Sequence, residues 1–169
     1  YADHHCYGAG DYEAIREDMA TLPVGFHMDS MIKGSSRDTL ESMLGEVGIG
    51  RYGVDLWGSG EPMREFLFVD DLADACIFLM EQGNSSFPGK IVNIGFGSDV
   101  MIRDLAGLLK ELVGFEGPMR FDNTRPDGMA RKLLDTGRLT ALGWLPRTAL
   151  RDGLQATYEW YLTGTARSR

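Results

Sequence analysis

Residues 56–75 read LWGSGEPMREFLFVDDLADA, and this stretch decides the fold. A strand-like apolar end, Val54 to Trp57, runs into the turn Gly58-Ser59-Gly60-Glu61-Pro62. Arg64, a second apolar run (Phe66 to Val69) and the carboxylate pair Asp70-Asp71 follow. Gly58 and Gly60 can take backbone angles closed to other residues, and Pro62 fixes its own φ. The turn therefore holds Trp57 and Arg64 in a defined relation. An aromatic face beside a guanidinium suits a ligand with a flat ring and a phosphate.

Working outward, Phe66 to Met80 reads as a strand and then a helix, with Asp70 or Asp71 as its cap. Leu72, Ala75, Cys76 and Leu79 recur at helical spacing as one apolar stripe, and Cys76 reads as a small buried hydrophobe. Lys90 to Gly95 reads as a short buried strand. Ser98 or Asp99 caps a helix over 101–113. Met119 to Phe121 is a strand, Arg125-Pro126-Asp127-Gly128 a turn, and two further helices start near Thr136 and Thr148. Upstream, Asp11 to Gly25 is acidic and loosely helical. Residues 34–53 are glycine-rich without firm periodicity. They include Gly48-Ile-Gly-Arg-Tyr-Gly53, a formal G-x-G-x-x-G. That run cannot be a dinucleotide fingerprint, because it does not join a strand to a helix start where free N–H groups would meet a pyrophosphate.

Composition narrows the class. The 169 residues are 43% hydrophobic and 25% charged, as in a soluble globular protein with one ordinary core. No apolar run reaches the roughly 20 residues that span a bilayer. The net charge of -8 argues against nucleic acid or an acidic membrane as partner. The acid excess lies mostly before residue 50. Between 120 and 138, Arg120, Arg125, Arg131, Lys132 and Arg138 outnumber Asp122, Asp127 and Asp135, which marks either a solvated face or a local anion site. Cys6 and Cys76 match no zinc or redox spacing. His4-His5 has no partner ligands at suitable spacing, so no metal is expected. Unpaired cysteines and the lack of a signal-peptide pattern lead to a cytoplasmic expectation. The opening at Tyr1, without an initiator methionine, leads to the expectation of a fragment, a processed product or an incomplete gene.

The 56–75 stretch, together with Arg125-Pro-Asp-Gly-Met-Ala-Arg-Lys-Leu-Leu-Asp135 and Leu142-Gly-Trp144, resembles the GDP-L-fucose synthase family of extended short-chain dehydrogenase/reductases. The resemblance runs from about Val54 to Thr163 and is weaker from Tyr7 to Ile32. It implies an α/β fold: the C-terminal, substrate-binding portion of such an enzyme, lacking most of the Rossmann sheet. Residues 1–169 would then be one substrate-binding domain. Residues 1–26 would be a remnant of the nucleotide-domain edge, and 64–81 a strand and helix that pack on the missing Rossmann domain.

The resemblance also implies site residues. His27 matches the family's epimerisation acid, across a one-residue gap. Trp57 and Arg64 contact the nucleotide-sugar, with Arg64 at the pyrophosphate. Asp127 lies near the guanine edge, and Lys132 adds a point charge near the phosphates. Tyr7 and Gly8 lie beside the nicotinamide of NADP, with His5 where the family has asparagine and Ala9 where it has proline. The plainer alternatives are that Trp57 fills the core, that Arg64 pairs with Glu65 or Asp70, that Asp127 stabilises a turn, and that His27 is a surface residue.

An active enzyme of this superfamily needs a tyrosine with a lysine four residues on, and no tyrosine here has one. Two functions follow as expectations. The first is the GDP-sugar-binding part of an NADP-dependent GDP-4-keto-6-deoxymannose epimerase/reductase, inactive alone, so whether the chain is itself an enzyme stays open. The second is a non-catalytic nucleotide-sugar-binding or packing module, or part of another nucleotide-sugar epimerase or dehydratase. A GDP-sugar, a missing N-terminal half or a second copy of the chain are the expected partners.

Overall fold

The computed structural model describes residues 10–21, 35–82 and 91–163. In chain order the elements are helices α1 (Tyr12–Thr21) and α2 (Arg37–Glu46), strands β1 (Ile49–Gly50), β2 (Gly53–Trp57) and β3 (Met63–Arg64), and helix α3 (Val69–Gln82). Strand β4 (Val100–Met101), helix α4 (Ile102–Leu112), strands β5 (Met119–Asp122) and β6 (Arg131–Lys132), and helices α5 (Gly137–Ala141) and α6 (Leu150–Leu162) complete it. Among the described residues the chain divides into two compact units. One is drawn from Tyr1–Gly60, Val113–Asp127 and Trp160–Arg169, the other from Glu61–Leu112 and Gly128–Glu159.

In the first unit, α1 starts where the Asp11 carboxylate accepts the Ala14 N–H at 3.1 Å. Helix α2 starts where Ser36 Oγ accepts the Thr39 N–H at 3.2 Å. Leu40, Met43 and Leu44 then recur on one face and bury against Ile15, with Tyr12, Val47 and Ile49 packed around them. The 34–53 stretch thus holds a helix that its glycines obscure. The formal G-x-G-x-x-G is a β-hairpin: β1 and β2 pair antiparallel, Ile49 opposite Val54 and Gly50 opposite Gly53. Strand β5 adds in parallel on the other side of β2, from Val54 opposite Met119 to Trp57 opposite Asp122.

The second unit has β3 at the centre of a three-stranded sheet, in the order β4-β3-β6. Ala75, Leu139 and Trp144 form its buried core, with Leu67, Phe78, Leu79, Val92 and Ile94 packed against it. The Trp144 indole N–H donates to Asp74 at 2.8 Å. The strand expected over Phe66–Val69 lies instead at Met63–Arg64, because that is where β4 and β6 offer ladder partners. Residues 91–95 form no strand either. Val92 and Ile94 pack on the core, but no ladder reaches them.

Three expectations for α3 are corrected. Cys76 is exposed, not buried. Of the expected stripe only Ala75 is fully buried, and Leu79 packs against the core. Val69, Leu72, Cys76 and Met80, at spacings of three and four, face outward with Ile77 beside them. Asp71 does not cap its own helix, which begins before it at Val69. Its buried carboxylate accepts the backbone N–H groups of Arg147 (3.1 Å) and Thr148 (2.8 Å) and the Thr148 hydroxyl (3.2 Å), at the entry to α6. Removing it takes away the acceptor of these three donors. Asp71→Ala is expected to destabilise the chain by about 1–3 kcal/mol in urea denaturation. Wild-type stability in that variant would show that Asp71 is not the anchor of the α6 entry.

Candidate functional site

In the first unit the glycine turn after β2 is held by side chains far along the chain. Gly58 and Gly60 both have positive φ, +84° and +76°. A Cβ on Gly58 would lie 2.3 Å from Asp127 Oδ1, and one on Gly60 would lie 2.5 Å from the Phe121 ring, so only glycine fits at either position. Asp127 Oδ1 accepts the Ser59 N–H at 2.8 Å, and Oδ2 accepts the Ser59 hydroxyl at 2.6 Å. These bonds favour the ionised form, so the Ser59 hydroxyl first and the Ser59 N–H second hold the Asp127 carboxyl below the usual carboxylate range. Trp57 is 59% exposed at the end of β2, and the Arg125 guanidinium lies over its ring, 5.0 Å from the centroid. Asp122 receives Thr124 N–H and hydroxyl bonds at 2.9 and 2.5 Å and has Arg125 Nε at 3.7 Å, which fixes the start of that loop.

In the second unit β3 and β6 run parallel, with Arg64 the register partner of Lys132. Parallel neighbours lie about 4.8 Å apart and present partnered side chains to the same face. Arg64 Nη1 donates to the Met63 carbonyl at 2.6 Å. A Cβ on Gly128 would come within 3.3 Å of Arg64 Nη2, so this glycine gives the guanidinium room. Glu65 does not neutralise Arg64. Its carboxylate accepts the Gly97 N–H at 2.6 Å and the Leu134 N–H at 3.0 Å. Among the described residues neither Arg64 nor Lys132 has an ion-pair partner. The neighbouring cation, Arg131, is already matched by Asp99 in a forked pair at 2.5 and 3.1 Å. That guanidinium keeps the Asp99 carboxyl below its ordinary range.

The structure therefore brings Trp57 and Asp127 into one loop cluster, and Arg64 and Lys132 onto one pair of strands. His27, Tyr7 and Gly8 lie outside the described residues. Sequence reasoning missed three contacts: Ser59 on Asp127, Arg125 over Trp57, and Glu65 on two loops. Only the second left a signal, as Arg125 belongs to the basic run of 120–138. Among the described residues the one formal glycine fingerprint is a hairpin turn. No group of three or more His, Cys, Asp or Glu among them could hold a metal ion, and no helix among them is long and apolar enough to cross a membrane.

A model of the NAD dependent epimerase/dehydratase family matches residues 24–95. GDP-L-fucose synthase 1 of Arabidopsis thaliana is 56% identical over 109 residues, which is 64% of this chain and 33% of that protein. GDP-L-fucose synthase of Escherichia coli (strain K12) is 44% identical over 122 residues, 69% of this chain and 38% of that protein. Among solved structures, a GDP-D-glycero-L-gluco-heptose synthase from Campylobacter jejuni, obtained in the presence of NADPH, superposes with TM-score 0.67. It is 29% identical, and the match covers 96% of this chain and 44% of that one. The chain thus spans between 33% and 38% of the length of these two curated relatives. The α/β fold is that of part of an extended short-chain dehydrogenase/reductase.

The Ser59–Asp127 clamp sets a testable titration. A carboxyl held low in the folded chain contributes stability above its unfolded value of about 4, and loses it as pH falls through the folded value. In a carbon-detected NMR titration Asp127 is expected to titrate below an ordinary aspartate, and Ser59→Ala to raise it toward the ordinary value. An ordinary midpoint in the wild-type chain would mean that the clamp is not formed in solution.

Proposed function

We propose that this chain, whose curated homologues at 44% to 56% identity are GDP-L-fucose synthases, is the nucleotide-sugar-binding portion of an NADP-dependent GDP-4-keto-6-deoxymannose epimerase/reductase. One observation carries the reading: Arg64 and Lys132 stand opposite each other on β3 and β6, and neither has an anionic partner among the described residues. Like charges facing across a ladder repel. A diphosphate relieves that repulsion, the planar guanidinium meeting two oxygens and the ammonium adding a point charge.

The remaining roles follow the chemistry of each side chain. The exposed Trp57 indole offers its face to a ring of the ligand. The Asp127 oxygens keep lone pairs beyond those that Ser59 fills, and these accept from a guanine edge. His27 is the acid for epimerisation. A carbon beside a ketone loses its proton to a base because an enolate can form, and a protonated imidazole on the opposite face can supply a different proton to that carbon, itself becoming neutral. Tyr7 and Gly8 would border the nicotinamide. The reductase step needs a tyrosine–lysine pair that this chain does not carry, so no hydride step is assigned to it.

A second reading, a non-catalytic binding or packing module, draws on α3. Val69, Ile77 and Met80 are 65%, 54% and 73% exposed on one helix of the second unit. Apolar exposure of that kind marks an association face. The cover is either the nucleotide-binding half that 64–81 would pack on or a second copy of the chain.

Calorimetry with GDP separates binding from packing alone. The 169-residue chain is expected to give binding heat that falls with added salt and disappears in Arg64→Ala. Equal heats for the two proteins would end the reading. Under the same conditions the chain is expected to oxidise no NADPH with the keto sugar above a no-protein control, and turnover above that control would refute its inactivity alone. Light scattering at high concentration is expected to show self-association, and a strict monomer would count against the α3 face as an interface between copies.

A further inference from the structure

The pairing of Arg64 with Lys132 rests on strands of two residues each, which cannot hold a register by themselves. Two ladders meet at β3 and both stop after Arg64. Where they stop stands Glu65. Its Oε1 takes the Gly97 N–H, on the segment that leads into β4. Its Oε2 takes the Leu134 N–H, two residues beyond Lys132 on the segment that leaves β6. A single carboxylate therefore closes both ladders at the same end.

The surroundings are shaped for that carboxylate. Gly95 is buried, and a Cβ there would lie 2.6 Å from Glu65 Oε1 and 2.9 Å from Oε2. No side chain other than hydrogen fits without displacing the carboxylate. The same arrangement removes the nearest acid from Arg64. A glutamate adjacent to an arginine in sequence could neutralise it, but here both oxygens are committed to backbone N–H groups.

We propose that Glu65 is the positioning residue of the anion site: it holds the Lys132 strand in register with Arg64 and leaves the guanidinium free for a diphosphate. This rests on the nucleotide-sugar reading above. Glu65 touches no ligand and acts through Lys132. Glutamine keeps the size of the side chain but exchanges one accepting oxygen for an NH2 group, which faces a backbone N–H and cannot bond it.

A double-mutant cycle reads this out, with GDP and inorganic pyrophosphate as probes in calorimetry on the full chain. Glu65→Gln is expected to weaken both about tenfold, a loss similar to that of Lys132→Gln, and to weaken the Lys132→Gln protein less than twofold further. Guanosine, which lacks the phosphates, should bind both forms alike. If the losses from Glu65→Gln and Lys132→Gln add in full, Glu65 acts only on general stability and the positioning role is overturned. If Glu65→Gln does not fold, Gly95→Ala goes through the same cycle with the same two outcomes. The underlying reading fails differently: wild-type chain that binds neither probe, or binds both as Arg64→Ala does, removes the anion site and the positioning role with it.

Discussion

The second unit depends on one electrostatic constraint, two cations held opposite each other across a parallel ladder. Arg64 and Lys132 are register partners on strands about 4.8 Å apart. Left alone, such a pair opposes the strand pairing that creates it. A protein built only for stability would neutralise one of the two, and acids stand close by in sequence to do so. Three of them are bonded elsewhere. Glu65 bonds the Gly97 and Leu134 amides, Asp71 holds the entry to α6, and Asp99 is joined to Arg131.

The first unit solves a different problem, keeping an indole exposed in a fixed place. An exposed tryptophan at a strand end would normally be free to fold down onto the nearest apolar surface. Here the backbone just after it is locked. Gly58 and Gly60 take left-handed angles, and the Asp127 carboxylate clamps Ser59 at both its N–H and its hydroxyl. Arg125 then covers one side of the ring. The glycines are required twice over, by their φ values and by the close approach of Asp127 and Phe121.

Most of what was legible in the sequence was local. The turn at 57–60 declares itself through Gly-Ser-Gly, and the helix after Val69 through its carboxylates and apolar spacing. The strand Met119–Asp122 and the helices near 137 and 150 follow from periodicity and turn residues. What escaped was non-local or masked. A two-residue strand such as β6 has no period to read and exists only because β3 lies beside it. The run at 91–95 is apolar enough for a strand but finds no ladder. Helix α2 hid behind flanking glycines, although Ser36 and the Leu40, Met43, Leu44 spacing were in view. The acids misled most. Asp70 and Asp71 look like a cap for the helix they begin, yet the Asp71 partners lie 76 and 77 residues away. Of the candidate site, Trp57 and Arg64 were legible from the glycine turn and the resemblance together, and Lys132 and Asp127 from resemblance. The partners that hold Trp57 and Asp127 in place, and the Glu65 bonds that close the ladders on either side of Arg64, came only from the structure.

Helix α3 is apolar on two sides, and this bears on what surrounds the unit. One side, through Ala75, Phe78 and Leu79, meets the core of Leu139 and Trp144. The other carries Val69, Leu72, Cys76, Ile77 and Met80 outward. A helix at the surface of a finished domain is normally polar on its outer face, since burying only one stripe suffices to hold it. Two apolar sides are the pattern of a helix between two layers. A Leu or Met left in water forgoes about 1.5–3 kcal/mol of burial, so several such residues on one face represent a stabilisation that the unit by itself does not collect. The curated relatives are longer than the stretch they share with this chain, and the shared stretch includes α3. Among the described residues the outer face of α3 stays apolar and exposed.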